Sequence, residues 1–82
     1  GDFLTEFKEQ LIVRATRVSD IAEAVISQSL IHEAAVAQVQ AAPTEQEAMR
    51  LLFEALEREP PLNRVSFHLI LRMTEPELIQ EL

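Results

Sequence analysis

The stretch "APTEQEAMRLLFEAL", Ala42 to Leu56, sets the fold class. Pro43 disfavours helical geometry in Ala42 and so separates this stretch from what precedes it. Thr44 and Glu47 have the spacing of a capping box, in which each side chain takes up a backbone donor of the other. Met49, Leu52, Phe53 and Leu56 follow at i, i+3, i+4 and i+7, one apolar face of a helix running to about Arg58. Arg50 lies off that face, in a chain otherwise short of positive charge. Two roles fit it: a surface pair with Glu47 or Glu54 on its own helix, or one half of a contact with another molecule.

The same grammar extends outward in both directions. Phe3, Leu4, Phe7, Leu11, Ile12 and Ala15 predict a helix from about Phe3 to Thr16. "VSDIAEAVISQ", from Val18, predicts a second, with Ile21, Ala24, Val25 and Gln28 along one side. "HEAAVAQVQAA", from His32, is alanine-rich and predicts a third without a strong cap. After the Ala42–Leu56 helix, Pro60-Pro61 stops the chain, and Pro61 suits the first turn of a fifth helix, "LNRVSFHLILRM". Leu62, Val65 and Leu69 lie on one side of it and Phe67, Ile70 and Leu71 on another, the pattern of a central helix. Thr74 and Glu77 form a second capping-box pattern opening a sixth helix with Leu78, Ile79 and Leu82. Short helices with short connections exclude a bundle of four long ones. The expected fold is all-α, a compact antiparallel six-helix bundle.

Eighty-two residues allow one small domain, burying roughly 60–65% of the surface of its unfolded chain. An apolar fraction of 48% supports a packed core rather than disorder. The sole glycine is Gly1, which argues against a turn-rich β protein or a glycine-rich phosphate loop. Gly1 itself reads as a cloning remnant and Leu82 falls inside an unfinished helix, so a domain cut from a longer protein is expected. Without cysteine there are no disulfides or thiolate metal sites. No apolar run approaches the ~20 residues that span a bilayer, so a soluble, cytoplasmic domain with no membrane partner is expected.

Charge narrows the chemistry. The net charge of −7, from 14 acidic and 7 basic residues, offers no basic face for nucleic acid. Residues 1–17 are balanced, with Lys8, Arg14 and Arg17 against Asp2, Glu6 and Glu9. Residues 18–43 carry Asp20, Glu23 and Glu33 and no basic residue. "HEAAV" begins like a zinc-protease motif, but Val36 stands where the second histidine belongs. His32 reads as a solvated first-turn residue and His68 as a hydrogen-bonded or rim residue. No nucleophile or cleft-forming loop accompanies the carboxylates, so neither catalysis nor a cofactor is expected.

Three segments in register carry a resemblance. "DFLTEFKEQLIVRATRVSDIAEAVI", "PTEQEAMRLLFEAL" and "LILRMTEPELIQEL" together resemble a caspase recruitment domain (CARD) of the death-fold superfamily. The likeness runs from Asp2 to Leu82 and is nearest to the CARDs of the inflammasome adaptor ASC and of CARD-bearing inflammasome sensors. Its most specific pieces are Phe3, Leu11, Ile12, Arg14, Thr16 and Val18, then Pro43, Thr44, Met49, Arg50, Leu52 and Phe53, then the terminal "LR…LI.EL".

The resemblance implies a homotypic interaction module. It would recruit an adaptor, sensor or inflammatory caspase through that protein's CARD, and assemble into oligomers or filaments in inflammasome or apoptotic innate immune signalling. In the family's commonest contact, basic residues of the first and fourth helices meet acidic residues of the second and third helices of a neighbour. Carried over, the basic side is Lys8 and Arg50, with Arg14 at a further basic family position. The acidic side is Glu23, with Asp20 one turn away. The chain departs from the family's adaptor at Glu59-Pro60-Pro61, where that adaptor carries aromatics, and it has no Tyr or Trp. Asp20 and Glu23 also fit a plainer role as favourable charges near the positive end of their helix. Two alternatives stand beside this reading: an acidic acyl carrier-like domain with Ser19 as prosthetic-group site, and a death-fold regulator that does not polymerise.

Overall fold

The structure, a computed structural model, describes residues 2–82, so Gly1 lies outside the described residues. It contains α-helices and no strand among those residues: α1 (Phe3–Glu6), α2 (Lys8–Arg14), α3 (Val18–Ser27), α4 (Glu33–Gln40), α5 (Glu45–Glu57), α6 (Pro61–Thr74) and α7 (Pro76–Glu81). The radius of gyration, 11.4 Å, matches the ~11.7 Å expected of a compact chain this long. The all-helical class is as expected. The count is seven rather than six.

The extra helix comes from the predicted Phe3–Thr16 segment, which breaks at Phe7. There ψ turns to 16°, although Phe7 N–H still reaches Phe3 O and Leu11 N–H reaches Phe7 O. Packing against α6 accounts for the bend. Phe3 stacks flat on His68, with centroids 4.6 Å apart, and tilts against Phe7. Arg64 Nη2 donates to both Asp2 carboxylate oxygens and to Thr5 Oγ1, holding α1 on α6 while Leu11 and Ile12 of α2 enter the core.

The first segment also ends early, at Arg14, for a reason at the far end of the chain. Glu75, buried between α6 and α7, accepts from Thr16 N–H at 2.9 Å and Arg17 N–H at 2.7 Å. The same residue corrects the predicted Thr74–Glu77 box. Thr74 is the last residue of α6, and Glu75 caps α7 with φ −128° and ψ 55°. Pro76 is the cause: it disfavours helix in the residue before it and fits the first helical turn itself. At α5 the forward half of the predicted box forms, Glu47 N–H donating to Thr44 Oγ1 at 3.1 Å. No bond from the Glu47 side chain back to Thr44 accompanies it.

One continuous apolar cluster joins the helices. Its hub is α5, which packs on α2, α3, α4 and α6 and buries Met49, Leu52, Phe53, Ala55 and Leu56. Phe53 meets Phe67 of α6 edge to face at 5.3 Å. The expectation that α6 would be buried on several sides is not met. Phe67, Ile70 and Leu71 are buried, while Leu62, Val65 and Leu69 are more than half exposed and Met73 is 82% exposed. Asn63 fixes the start of α6 by donating to Leu30 O at 3.0 Å. Leu30 in turn follows a Schellman turn that closes α3.

Candidate protein-binding surface

Two of the basic residues suggested by the CARD resemblance, Lys8 and Arg50, stand on opposite sides of the seam where α2 packs on α5. Lys8 opens α2, and Arg50 leaves the second turn of α5 at the edge of its apolar face, toward α2. Neither cation is free. The Arg50 guanidinium grips Glu9 with two parallel bonds, Nη1 to Oε2 at 3.0 Å and Nη2 to Oε1 at 3.2 Å. Lys8 Nζ lies 3.9 Å from Glu57 Oε1. The seam is therefore an alternating ladder of charges, Lys8 and Arg50 against Glu57 and Glu9, rather than a bare positive patch.

The Arg50–Glu9 pair replaces the one expected within α5: neither Glu47 nor Glu54 forms an ion pair with Arg50. The hydrogen bonds from Arg50 hold the Glu9 carboxyl below the ordinary carboxylate value, and Glu9 raises Arg50 in return. Both groups stay charged through the physiological range. The pair spans 41 positions in sequence, which is why helix spacing could not reveal it.

Arg14 is not brought to this seam. It stands at the opposite end of α2 from Lys8 and donates to Glu81 of α7. There it lines a cleft of about 290 Å³ with Thr16, Arg17, Glu75 and Glu77. Its observed contact is an internal tie between the two ends of the chain.

The acidic pair behaves differently. Asp20 and Glu23 project from the first two turns of α3, both exposed, and neither forms an ion pair among the described residues. Glu23 also edges a groove of about 400 Å³ between α3 and the α4–α5 turn, walled by Ile26, Val39, Pro43 and Ala48. Ser19 lies exposed on the same rim.

The remaining candidates have plain structural surroundings. His32 is exposed, with Nε2 3.5 Å from Glu59 Oε2. Glu59 itself, at the departure from the family pattern, is only 12% exposed and turns in over α4 rather than outward. His68 accepts a bond from Arg72 Nε at 3.2 Å, behind its stack on Phe3. No cluster of three potential metal-ligating side chains occurs among the described residues. No helix of the described residues is long and apolar enough to cross a membrane. What sequence reasoning missed is the exposed apolar row Leu62, Val65, Leu69 and Met73; its helical spacing was legible, its exposure was not. Comparison with protein-family models, curated proteins and solved structures finds no match to this chain.

Proposed function

We propose that this chain is a CARD-type interaction module: a death-fold domain that binds other CARDs by charge complementarity and assembles with them or with itself. The observation that carries the reading is the unequal treatment of its charges. Asp20 and Glu23 stand exposed without an ion pair among the described residues, while Lys8 and Arg50 share one seam elsewhere on the surface. Such a molecule offers a copy of itself, or a related domain, a negative site and a seam whose two cations an incoming carboxylate can reach. Contacts of that kind build head-to-tail chains rather than closed pairs. The three-segment sequence resemblance supplies the family, and with it the expected partners: the CARD of an adaptor, sensor or inflammatory caspase.

A charge swap tests this. Removing one partner of a desolvated charge pair at an interface costs several kcal/mol, whereas an exposed pair within the domain is worth less than about 1 kcal/mol. Arg50→Glu should therefore reduce self-association at least tenfold in light scattering and shift the thermal midpoint little. Mixing Arg50→Glu with Glu23→Arg should recover part of the loss. Undiminished assembly of Arg50→Glu would return Arg50 to a purely internal role. The acyl-carrier reading draws on the exposure of Ser19 at a groove rim, and predicts a pantetheine mass increment after co-expression with a pantetheinyl transferase. Unchanged mass is the expected result.

A further inference from the structure

We infer that Glu9 is an internal competitor for Arg50, so that the α2–α5 seam takes an acidic partner by exchanging Glu9 for the incoming carboxylate. The inference rests on the reading of Arg50 as a partner contact and adds the residue that regulates it. Glu9 already sits on the guanidinium in the two-bond arrangement that a partner's carboxylate would adopt. Both side chains are open to approach, Arg50 being 39% exposed and Glu9 65%. The second rung is looser, with Lys8 and Glu57 at 3.9 Å. Together the two rungs cancel: two cations and two carboxylates leave the seam without net charge.

A neutral seam selects its partner by geometry more than by long-range attraction. Displacing Glu9 requires a carboxylate that can bond both Nη groups at once. Lys8, whose hold on Glu57 is the looser, is the second cation of the seam that the same partner can address. A helix face with acidic residues at i and i+3 presents two carboxylates on one side, with Cβ atoms roughly 5–6 Å apart. Asp20 and Glu23 on α3 of a second copy have that spacing. The displaced Glu9 keeps a favourable neighbour, since Lys8 already stabilises its charged form.

Opening an exposed pair of this kind costs a factor of about 1.5 to 5 in an equilibrium constant. Glu9→Gln should therefore strengthen self-association by that factor, measured as the concentration at half-assembly in sedimentation or light scattering. Glu6→Gln is the control. It makes the same change in net charge on an exposed carboxylate outside any ion pair among the described residues, and should have the smaller effect. In the Arg50→Glu background the gain from Glu9→Gln should vanish. If Glu9→Gln leaves association unchanged, weakens it, or matches Glu6→Gln, while Arg50→Glu still abolishes it, the competitor role is wrong and the contact reading stands. If Arg50→Glu is itself without effect, the contact reading falls and the competitor role with it.

Discussion

Ser29 has φ of 56°, the left-handed region that suits glycine, in a chain whose sole glycine is at position 1. It closes α3 as the residue after the cap: Ser29 N–H reaches Ile26 O, and Leu30 N–H reaches back to Val25 O. Buried Leu30 and Val25 complete the turn with an apolar contact point on each side. A serine held there is strained by its Cβ, so Ser29→Gly should stabilise the domain by about 0.5–1 kcal/mol despite the more flexible unfolded chain. Urea denaturation measures it, and a destabilised variant would mean that the turn is not as described. Glu75 makes the opposite case. Its carboxylate serves two backbone amides some sixty positions earlier and is 7% exposed. Glu75→Ala should cost roughly 2–4 kcal/mol by leaving those amides unsatisfied, and Glu75→Gln, which keeps one acceptor oxygen, distinctly less. Equal losses from both would indicate that shape rather than hydrogen bonding fixes the site.

Among the elements, α1 depends most on a single contact surface, and that surface titrates. His68 lies under Phe3, accepts from Arg72, and faces Arg64 and Arg72 on its own helix and Asp2 at the cap of α1. Burial first, then the Arg72 charge, lowers its pKa from the ordinary 6.5, with Asp2 opposing. The unfolded chain therefore binds this proton more readily. Stability is complete above about pH 6.5 and falls as pH drops toward the lowered folded value. Asp2, held at about 2 by the Thr5 amide and Arg64, contributes stability above its ordinary 3.8 that is lost only as pH falls through about 2. On so exposed a carboxylate that contribution is well under 1 kcal/mol. Amide exchange at Phe3–Phe7 should thus quicken, relative to α5, as pH falls below about 6.5. His68→Phe, which keeps the stack without the proton, should remove that change; its persistence would place the titrating group elsewhere.

What the sequence made legible follows the same division. Thr44, Pro43 and Pro60-Pro61 act within a few residues of themselves, and the helix boundaries they predict are the observed ones to within a residue or two. The break at Phe7 and the early end at Arg14 depend on His68, Arg64 and Glu75, all more than fifty positions away. Periodicity is blind to such contacts. It likewise places Leu62, Val65 and Leu69 on one stripe of α6 without saying whether another helix covers it. Of the candidate site, Lys8, Arg50, Asp20 and Glu23 were named through a resemblance. Glu9 and Glu57 as their internal partners were not, because the pairs cross from α2 to α5.

For the molecule as a whole, the net charge of −7 sets association against itself. Two copies repel through their total charge and attract only where Asp20 and Glu23 approach the seam of Lys8 and Arg50. The two effects have different ranges, and salt separates them. At about 0.01 M salt the screening length is about 30 Å, comparable with the longest extent of the domain, 32 Å, so every charge on one copy feels the other. At about 0.1 M it falls to about 10 Å, shorter than the smallest extent, 19 Å, and only facing charges still interact. Near 1 M, at about 3 Å, the contact pairs are themselves screened. Self-association followed by light scattering at fixed protein concentration should therefore rise, pass through a maximum near physiological ionic strength, and fall. Glu9→Gln should raise the curve most around the maximum, and Arg50→Glu should flatten it. A curve that climbs steadily to high salt would mean that the copies meet through an apolar surface, for which the exposed row on α6 is the available one, and the charge-based assembly proposed for this chain would be wrong.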